Sequence, residues 1–232
     1  MADQGYARPE MLVSTEWLAR HLNDSTIRIV DCDNRDAYRR AHIPGAITFR
    51  GHQYLKEKEG ALHIMGPEQF AETMGALGIG DDTVVIAYDG FSSLYATRFW
   101  WALNYYGHTQ VKVLNGGWDK WLAEGRPISN AEPRTAKATF TPHVQEDLIA
   151  RWDYVRDTIG RDDRLLLDVR SDEEWTGANA RGTKRGGRVP GAVHLEWLNY
   201  IDRQTKEFKP AAELRAMFTQ TGVTPDREVV TY

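Results

Sequence analysis

The chain repeats itself. Ile27-Arg28-Ile29-Val30-Asp31, Asn34-Arg35-Asp36-Ala37-Tyr38 and Ala41-His42-Ile43-Pro44-Gly45-Ala46-Ile47 form one ordered set. Leu165-Leu166-Leu167-Asp168-Val169-Arg170, Asp172-Glu173-Glu174-Trp175 and Gly187-Arg188-Val189-Pro190-Gly191-Ala192-Val193 form a second set in the same order. Each set leads on to a helical segment closing on a glycine turn, Phe70 to Gly80 and Ala212 to Val223. A further apolar run follows in each case, Asp82 to Tyr88 and Glu228 to Tyr232. The repeat is too long for a solenoid and reads as two copies of a domain. At 232 residues the chain has room for two domains. The expected division is 1–128 for the first, 129–147 for a linker and 148–232 for the second.

Both copies point to α/β architecture. Ile27 to Asp31, Thr83 to Tyr88, Leu165 to Val169 and Glu228 to Tyr232 are short β-branched or apolar runs, as expected of strands buried on both faces. Helical patterns alternate with them at Ser14 to Leu22, Pro67 to Leu77, Leu94 to Tyr105 and Trp118 to Glu124. This order predicts parallel sheets flanked by helices. Ser14-Thr15-Glu16-Trp17 and Gly66-Pro67-Glu68 read as helix starts, and Gly78, Gly107 and Gly125 as helix ends. Ser129 to Gln145, rich in Ala, Thr and Pro, reads as a connector laid over the surface.

In an open parallel sheet, ligands bind beyond the carboxyl ends of the strands. In copy one that place is Asp89-Gly90-Phe91-Ser92-Ser93-Leu94, leading into a helix. Gly90 is expected to make the sharp turn and Ser92 or Ser93 to cap the helix. In copy two the sequence reaches Tyr232 where the matching loop would start. By comparison with copy one, about 40 or more residues would complete the second domain.

Composition excludes several functions. Charged residues make up 27%, hydrophobic ones 41%, and the net charge of -4 is interspersed, so no nucleic-acid or membrane footprint is expected. Residues 1–10 contain no apolar signal core, and the one cysteine, Cys32, fits a reducing compartment, so the cytoplasm is expected. Cys32 sits just past a buried strand and is expected to be structural. The histidines show no metal-ligand spacing; His42 and His108 read as turn or surface residues. Trp100, Trp101, Tyr105 and Tyr106 read as packing aromatics, and no cofactor is called for. Gly90 to Leu94 lacks the closing glycine of a nucleophile elbow.

His42-Ile43-Pro44-Gly45-Ala46, Tyr88-Asp89-Gly90 followed by Ala96-Thr97-Arg98-Phe99-Trp100-Trp101-Ala102-Leu103, and Val113-Leu114-Asn115-Gly116-Gly117-Trp118 through Pro127 resemble the tandem-domain rhodaneses. That family comprises the thiosulfate and 3-mercaptopyruvate sulfurtransferases. The resemblance runs from about Leu12 onward. It implies two rhodanese-like α/β domains, an inactive first and a catalytic second. It also implies a nucleophilic cysteine opening the loop after the central strand of the second domain, immediately after Tyr232. A chain ending at Tyr232 lacks that cysteine and is expected to be inactive.

In such a reaction a thiolate takes the outer sulfur of thiosulfate, releases sulfite, and passes the sulfur from a persulfide to cyanide or a thiol. The partners implied are therefore a small anionic sulfur donor and a thiophilic acceptor. A loop of backbone N–H groups at a helix N-terminus favours the thiolate. Asp89 holds the nucleophile's place in copy one and cannot carry sulfur. Arg181, Lys184, Arg185 and Arg188 lie among glycines in the Thr176 to Arg188 loop. They read either as a solvated basic loop or as a rim for the donor dianion. Many relatives carry a substrate-binding arginine where this chain has Glu174, so a loop cation would have to substitute. By motif, Leu94, Tyr95 and Trp197 match the family's apolar pocket lining; packing is the alternative. Asp168 and Arg170 read as residues that organise the site. A non-catalytic rhodanese-like binding or regulatory module, and more distantly a phosphatase with a longer loop, stay open as other readings.

Overall fold

A computed structural model describes residues 5–48 and 64–232. These residues form two compact units: Arg8–Glu146 with Arg203–Glu207, and Asp147–Asp202 with Phe208–Tyr232 and the residues just before Arg8. Both are α/β, as the alternating strand and helix patterns require.

In the first unit, β1 (Leu12–Val13), α1 (Thr15–Arg20), β2 (Ile27–Asp31), α2 (Arg35–Arg40), α3 (Pro67–Ala76), β3 (Val84–Tyr88), α4 (Leu94–Tyr105), β4 (Val111–Leu114) and α5 (Gly117–Ala123) follow in order. The strands form one parallel sheet in the order β1-β4-β3-β2. Parallel pairing needs helical crossovers, so both sheet faces are covered and β2 and β3 bury nearly every side chain. Val13, Leu18, Ile29, Ile43, Ile86, Tyr88, Leu114 and Trp121 form one core cluster. Ser14 Oγ accepts the Trp17 N–H at 3.1 Å and starts α1. Gly66 precedes Pro67 at the first position of α3. Gly78, Gly107 and Gly125 take the left-handed conformation where helices close.

The connector has no helix or strand, yet it is fastened down. Ala138 N–H donates to Gly75 O, Thr141 bonds both Asp81 carboxylate oxygens, and His143 N–H donates to Tyr106 O. Phe140 is buried. This stretch, through Glu146, therefore belongs with the first unit. It also corrects the expectation for two histidines. His42 is fully buried: its backbone pairs with Ser129, Nε2 lies 3.2 Å from Ala131 O, and its ring stacks on Tyr38 at 3.9 Å. His108 is buried beside Phe140. Tyr105 and Tyr106 are core residues, as expected.

The second unit carries α6 (Trp152–Thr158), β5 (Arg164–Asp168), α7 (Asp172–Thr176), β6 (Val193–His194), α8 (Ala211–Gln220) and β7 (Glu228–Thr231). Its parallel sheet runs β6-β5-β7, with Leu165, Leu166, Leu167 and Val230 buried. Among the described residues no helix is long and apolar enough to cross a membrane.

Candidate functional site

The carboxyl end of β3 delivers Asp89 into a cup of peptide N–H groups. Oδ1 accepts from Phe91 N at 2.8 Å and Ser93 N at 2.9 Å, and Oδ2 from Tyr95 N at 2.8 Å and Ala96 N at 2.7 Å. Three of these donors open α4, where four N–H groups have no partner inside the helix. Burial pushes the Asp89 carboxyl up from its ordinary value while the four hydrogen bonds pull it down. Four donors on two oxygens leave an acid proton no acceptor, so the cup holds an anion.

The turn is built differently from the sequence expectation. Positive φ falls on Ser92 (56°) and Ser93 (68°), not on Gly90. Ser93 precedes α4 without a side-chain cap, and the Asp89 carboxylate caps the helix instead. Holding two serines in the left-handed region is costly, and the hydrogen bonds to Asp89 offset it. A second loop closes the cup from behind. Gly117 has φ 53°, and a Cβ there would fall 2.3 Å from Asp89 O. Glycine lets the Gly116-Gly117-Trp118 turn approach, so Trp118 N–H reaches Asp89 O at 2.9 Å.

Behind this cup lies an acidic pocket that the sequence reading missed. Tyr88 Oη donates to Asp31 Oδ2 at 2.6 Å and accepts the Ile43 N–H at 3.1 Å. Asp33 Oδ2 accepts the Gly90 N–H at 3.0 Å, while its Oδ1 is buried without a partner among the described residues. Burial raises Asp31 to about 6. Burial, reinforced by Asp31 and Asp89, raises Asp33 to about 7. Cys32 lies between them, fully buried, its thiol pushed up by burial and by Asp89, Asp31 and Asp33. Its full burial fits the structural role expected of it.

This pocket makes the first unit pH-sensitive. Both aspartates bind a proton more tightly folded than unfolded. Their stabilising contribution is present below about pH 4 and is lost as pH rises through about 6 to 7. Asp33→Asn should therefore stabilise the first unit more at about pH 8 than at about pH 5 in urea titrations. A gain equal at both pH values would contradict this.

The second unit repeats the frame residue for residue. Tyr232 Oη accepts the Val189 N–H at 3.0 Å, as Tyr88 does from Ile43. Val169 N–H donates to Tyr232 O at 3.1 Å, as Cys32 does to Tyr88 O at 2.8 Å. Asp168 Oδ1 accepts the Arg170 N–H at 3.0 Å, as Asp31 accepts that of Asp33 at 2.8 Å. In this frame Tyr232 takes the place of Tyr88, the residue before Asp89.

Asp168 is fully buried and held by Arg170 Nε at 3.0 Å and Nη2 at 2.5 Å. Burial pushes its carboxyl up, but the Arg170 hydrogen bonds and charge hold it below the ordinary value. Arg170 Nη2 also donates to Gly187 O at 2.9 Å, and the guanidinium lies 5.1 Å from the Tyr232 ring centre. Arg170 thereby ties the strand end to the basic loop.

That loop closes on itself. A Cβ at Gly186 would fall 2.7 Å from Gly177 O, so two glycine backbones form its neck. Arg181 Nη2 reaches Glu174 Oε2 at 3.1 Å, so Glu174 is a nearly buried counter-ion rather than an open binding group. Arg188 stacks at 4.2 Å over Trp175, which stacks on His194 at 4.9 Å. Arg185 and Lys184 are exposed. Leu94 and Tyr95 sit at the first turn of α4, Leu94 exposed at 38% and Tyr95 edge-on to Phe91 at 5.3 Å. Trp197, in the second unit, is half-buried with its N–H on Val169 O.

The chain is similar to known proteins. A family model described as the rhodanese-like domain matches residues 14–124 and 152–232. The sulfur carrier protein TtuD of Thermus thermophilus is 33% identical over 98% of this chain and 84% of its own length. The thiosulfate sulfurtransferase of Bos taurus is 32% identical over 89% of this chain and 75% of its own. The crystal structure of SseA from Escherichia coli, described with the 3-mercaptopyruvate sulfotransferases, superposes with a TM-score of 0.85 at 27% identity. It covers 95% of this chain and 87% of that one.

Proposed function

The chain belongs to the rhodanese-like domain family and is a sulfurtransferase, and we propose that it moves the outer sulfur of thiosulfate to cyanide or a thiol through a cysteine persulfide. This reading requires a cysteine immediately after Tyr232. The observation that carries this reading is the Asp89 cup: four peptide N–H groups hold an anion at the position equivalent to the nucleophile's. A cup of that kind keeps a thiol ionised and steadies a persulfide. Attack of the thiolate breaks the donor's S–S bond, the electron pair leaves with sulfite, and the acceptor then attacks the persulfide sulfur. The loop cations Arg185 and Arg188, and Arg181 shared with Glu174, draw in the dianion. Asp168 and Arg170 organise the strand end. Leu94 and Tyr95 in the first unit, and Trp197 in the second, match the family's apolar lining by motif.

The likeness to the Escherichia coli structure favours 3-mercaptopyruvate as a second donor. Its carboxylate would meet the same cations. The test is cyanide-dependent thiocyanate formation with each donor, on a chain ending at Tyr232 and on one extended past it. Thiosulfate should outpace 3-mercaptopyruvate by kcat/KM in the extended chain, and the shorter chain should show only the uncatalysed rate. Turnover by the shorter chain would refute the mechanism; no turnover by the extended chain with either donor would favour a binding or regulatory module.

A further inference from the structure

We propose that the first unit carries a binding site for a small zwitterion, an α-amino acid with an apolar side chain, in a cavity between α2 and the connector. The site is separate from the Asp89 cup and does not depend on the sulfurtransferase reading.

The cavity measures about 200 Å³. That is below the range of about 300–1,000 Å³ usual for drug-sized ligands and suits a single amino acid. Its apolar wall is made by Ile47, bridged to Val30 at the sheet edge, by Leu77 at the end of α3, and by Pro133 of the connector. Tyr38 of α2 stands beside them. Its Oη donates to Ala46 O at 2.8 Å and its ring stacks on His42, so it offers a fixed surface rather than an open hydroxyl.

Two opposite charges line the same space, Arg35 at the start of α2 and Glu132 in the connector. Neither makes a side-chain hydrogen bond or an ion pair among the described residues. Neighbouring opposite charges elsewhere in the unit join directly, as Arg126 does with Glu124 and Lys120 with Glu207. Arg35 and Glu132 instead leave a gap between a guanidinium and a carboxylate. A zwitterion bridges such a gap: its carboxylate accepts from the guanidinium fork, and its ammonium donates to Glu132. Thr48 gives an independent sign. It lines the cavity, and its buried Oγ has no hydrogen-bond partner among the described residues. Buried polar atoms without partners are rare, and a hydroxyl can turn to meet either end of the ligand.

Both sides of the site are held in place. Asn34 Oδ1 accepts the Ala37 N–H at 2.9 Å and fixes the start of α2 beside Arg35. Ser129 and Ala131 fasten the connector to His42 just before Glu132. Just after it the connector lies so close to α3 that a Cβ on Gly78 would fall 2.8 Å from Ala136 O. A ligand here would tie α2 to the connector and stabilise the folded unit by mass action.

The experiment titrates three probes into this chain: L-leucine, isovalerate, which lacks the amine, and isopentylamine, which lacks the carboxylate. Binding is read from amide NMR shifts and from the unfolding midpoint. Leucine should bind at least about tenfold tighter than either analogue, moving amides of α2 and the connector. Arg35→Gln should weaken leucine and isovalerate but not isopentylamine, and Glu132→Gln should weaken leucine and isopentylamine but not isovalerate. Equal affinity for the three probes, shifts confined to other parts of the chain, or no saturable binding at millimolar leucine would overturn the proposal. The analogue series on the unaltered protein decides the matter even if a variant proves unstable.

Discussion

Asp89→Ala should destabilise the first unit by about 3–5 kcal/mol, more than any exposed substitution in this chain. The carboxylate satisfies four backbone donors at once, at 2.7 to 2.9 Å. Each donor left buried without a partner costs about 1–3 kcal/mol. Release of the carboxylate's own burial penalty offsets part of that sum. The Ser92-Ser93 turn, with positive φ at both residues, would also lose the bonds from Phe91 N–H and Ser93 N–H that hold it. The expected sign of an anion cup is a rescue: sulfate should raise the unfolding midpoint of Asp89→Ala more than that of wild type. Asp89→Asn should fall between, because its amide nitrogen meets N–H groups rather than acceptors. A loss below about 1 kcal/mol with no sulfate effect would show that the cup does not depend on its anion.

That network also shows where sequence reasoning stops. Strand and helix signals are local, so β2 was legible at Ile27–Asp31 and α4 at Leu94–Tyr105 with their observed bounds. The duplication was legible because its motifs keep their order. The helix cap was not. Two serines at the start of α4 carry the usual capping signal, yet a carboxylate four residues upstream takes that role through a turn whose φ angles no propensity favours.

His42 misled for a related reason. The His-Ile-Pro-Gly stretch reads as an exposed turn, but Ser129 and Ala131 cover it from the far end of the unit. The acidic pocket had a faint signal: aspartate ends both β2 and β5, and tyrosine stands at Tyr88 and Tyr232 in both copies. Equivalent polar residues at strand ends in both halves of a duplication are a readable sign of a shared frame. Glu174 was legible as a departure from the family but not as the counter-ion of Arg181, since loop closure through Gly177 and Gly186 decides that pairing.

The second large effect concerns where sulfur rests. Cys32 is sealed in the first unit and its thiol is pushed up among three aspartates, so thiosulfate should leave it untouched. The frame around Tyr232 instead matches the one around Tyr88, so under the proposed function the next position is where the sulfur would rest. In a chain extended past Tyr232, serine in place of the cysteine that the proposed function requires there should lower sulfur transfer by about a thousandfold or more, because the covalent carrier is gone. The direct measurement is peptide-resolved mass spectrometry of that extended chain after thiosulfate treatment without acceptor. The account predicts a gain of one sulfur atom on the residue following Tyr232, removed by cyanide. Sulfur on Cys32, or none on either site, would contradict it.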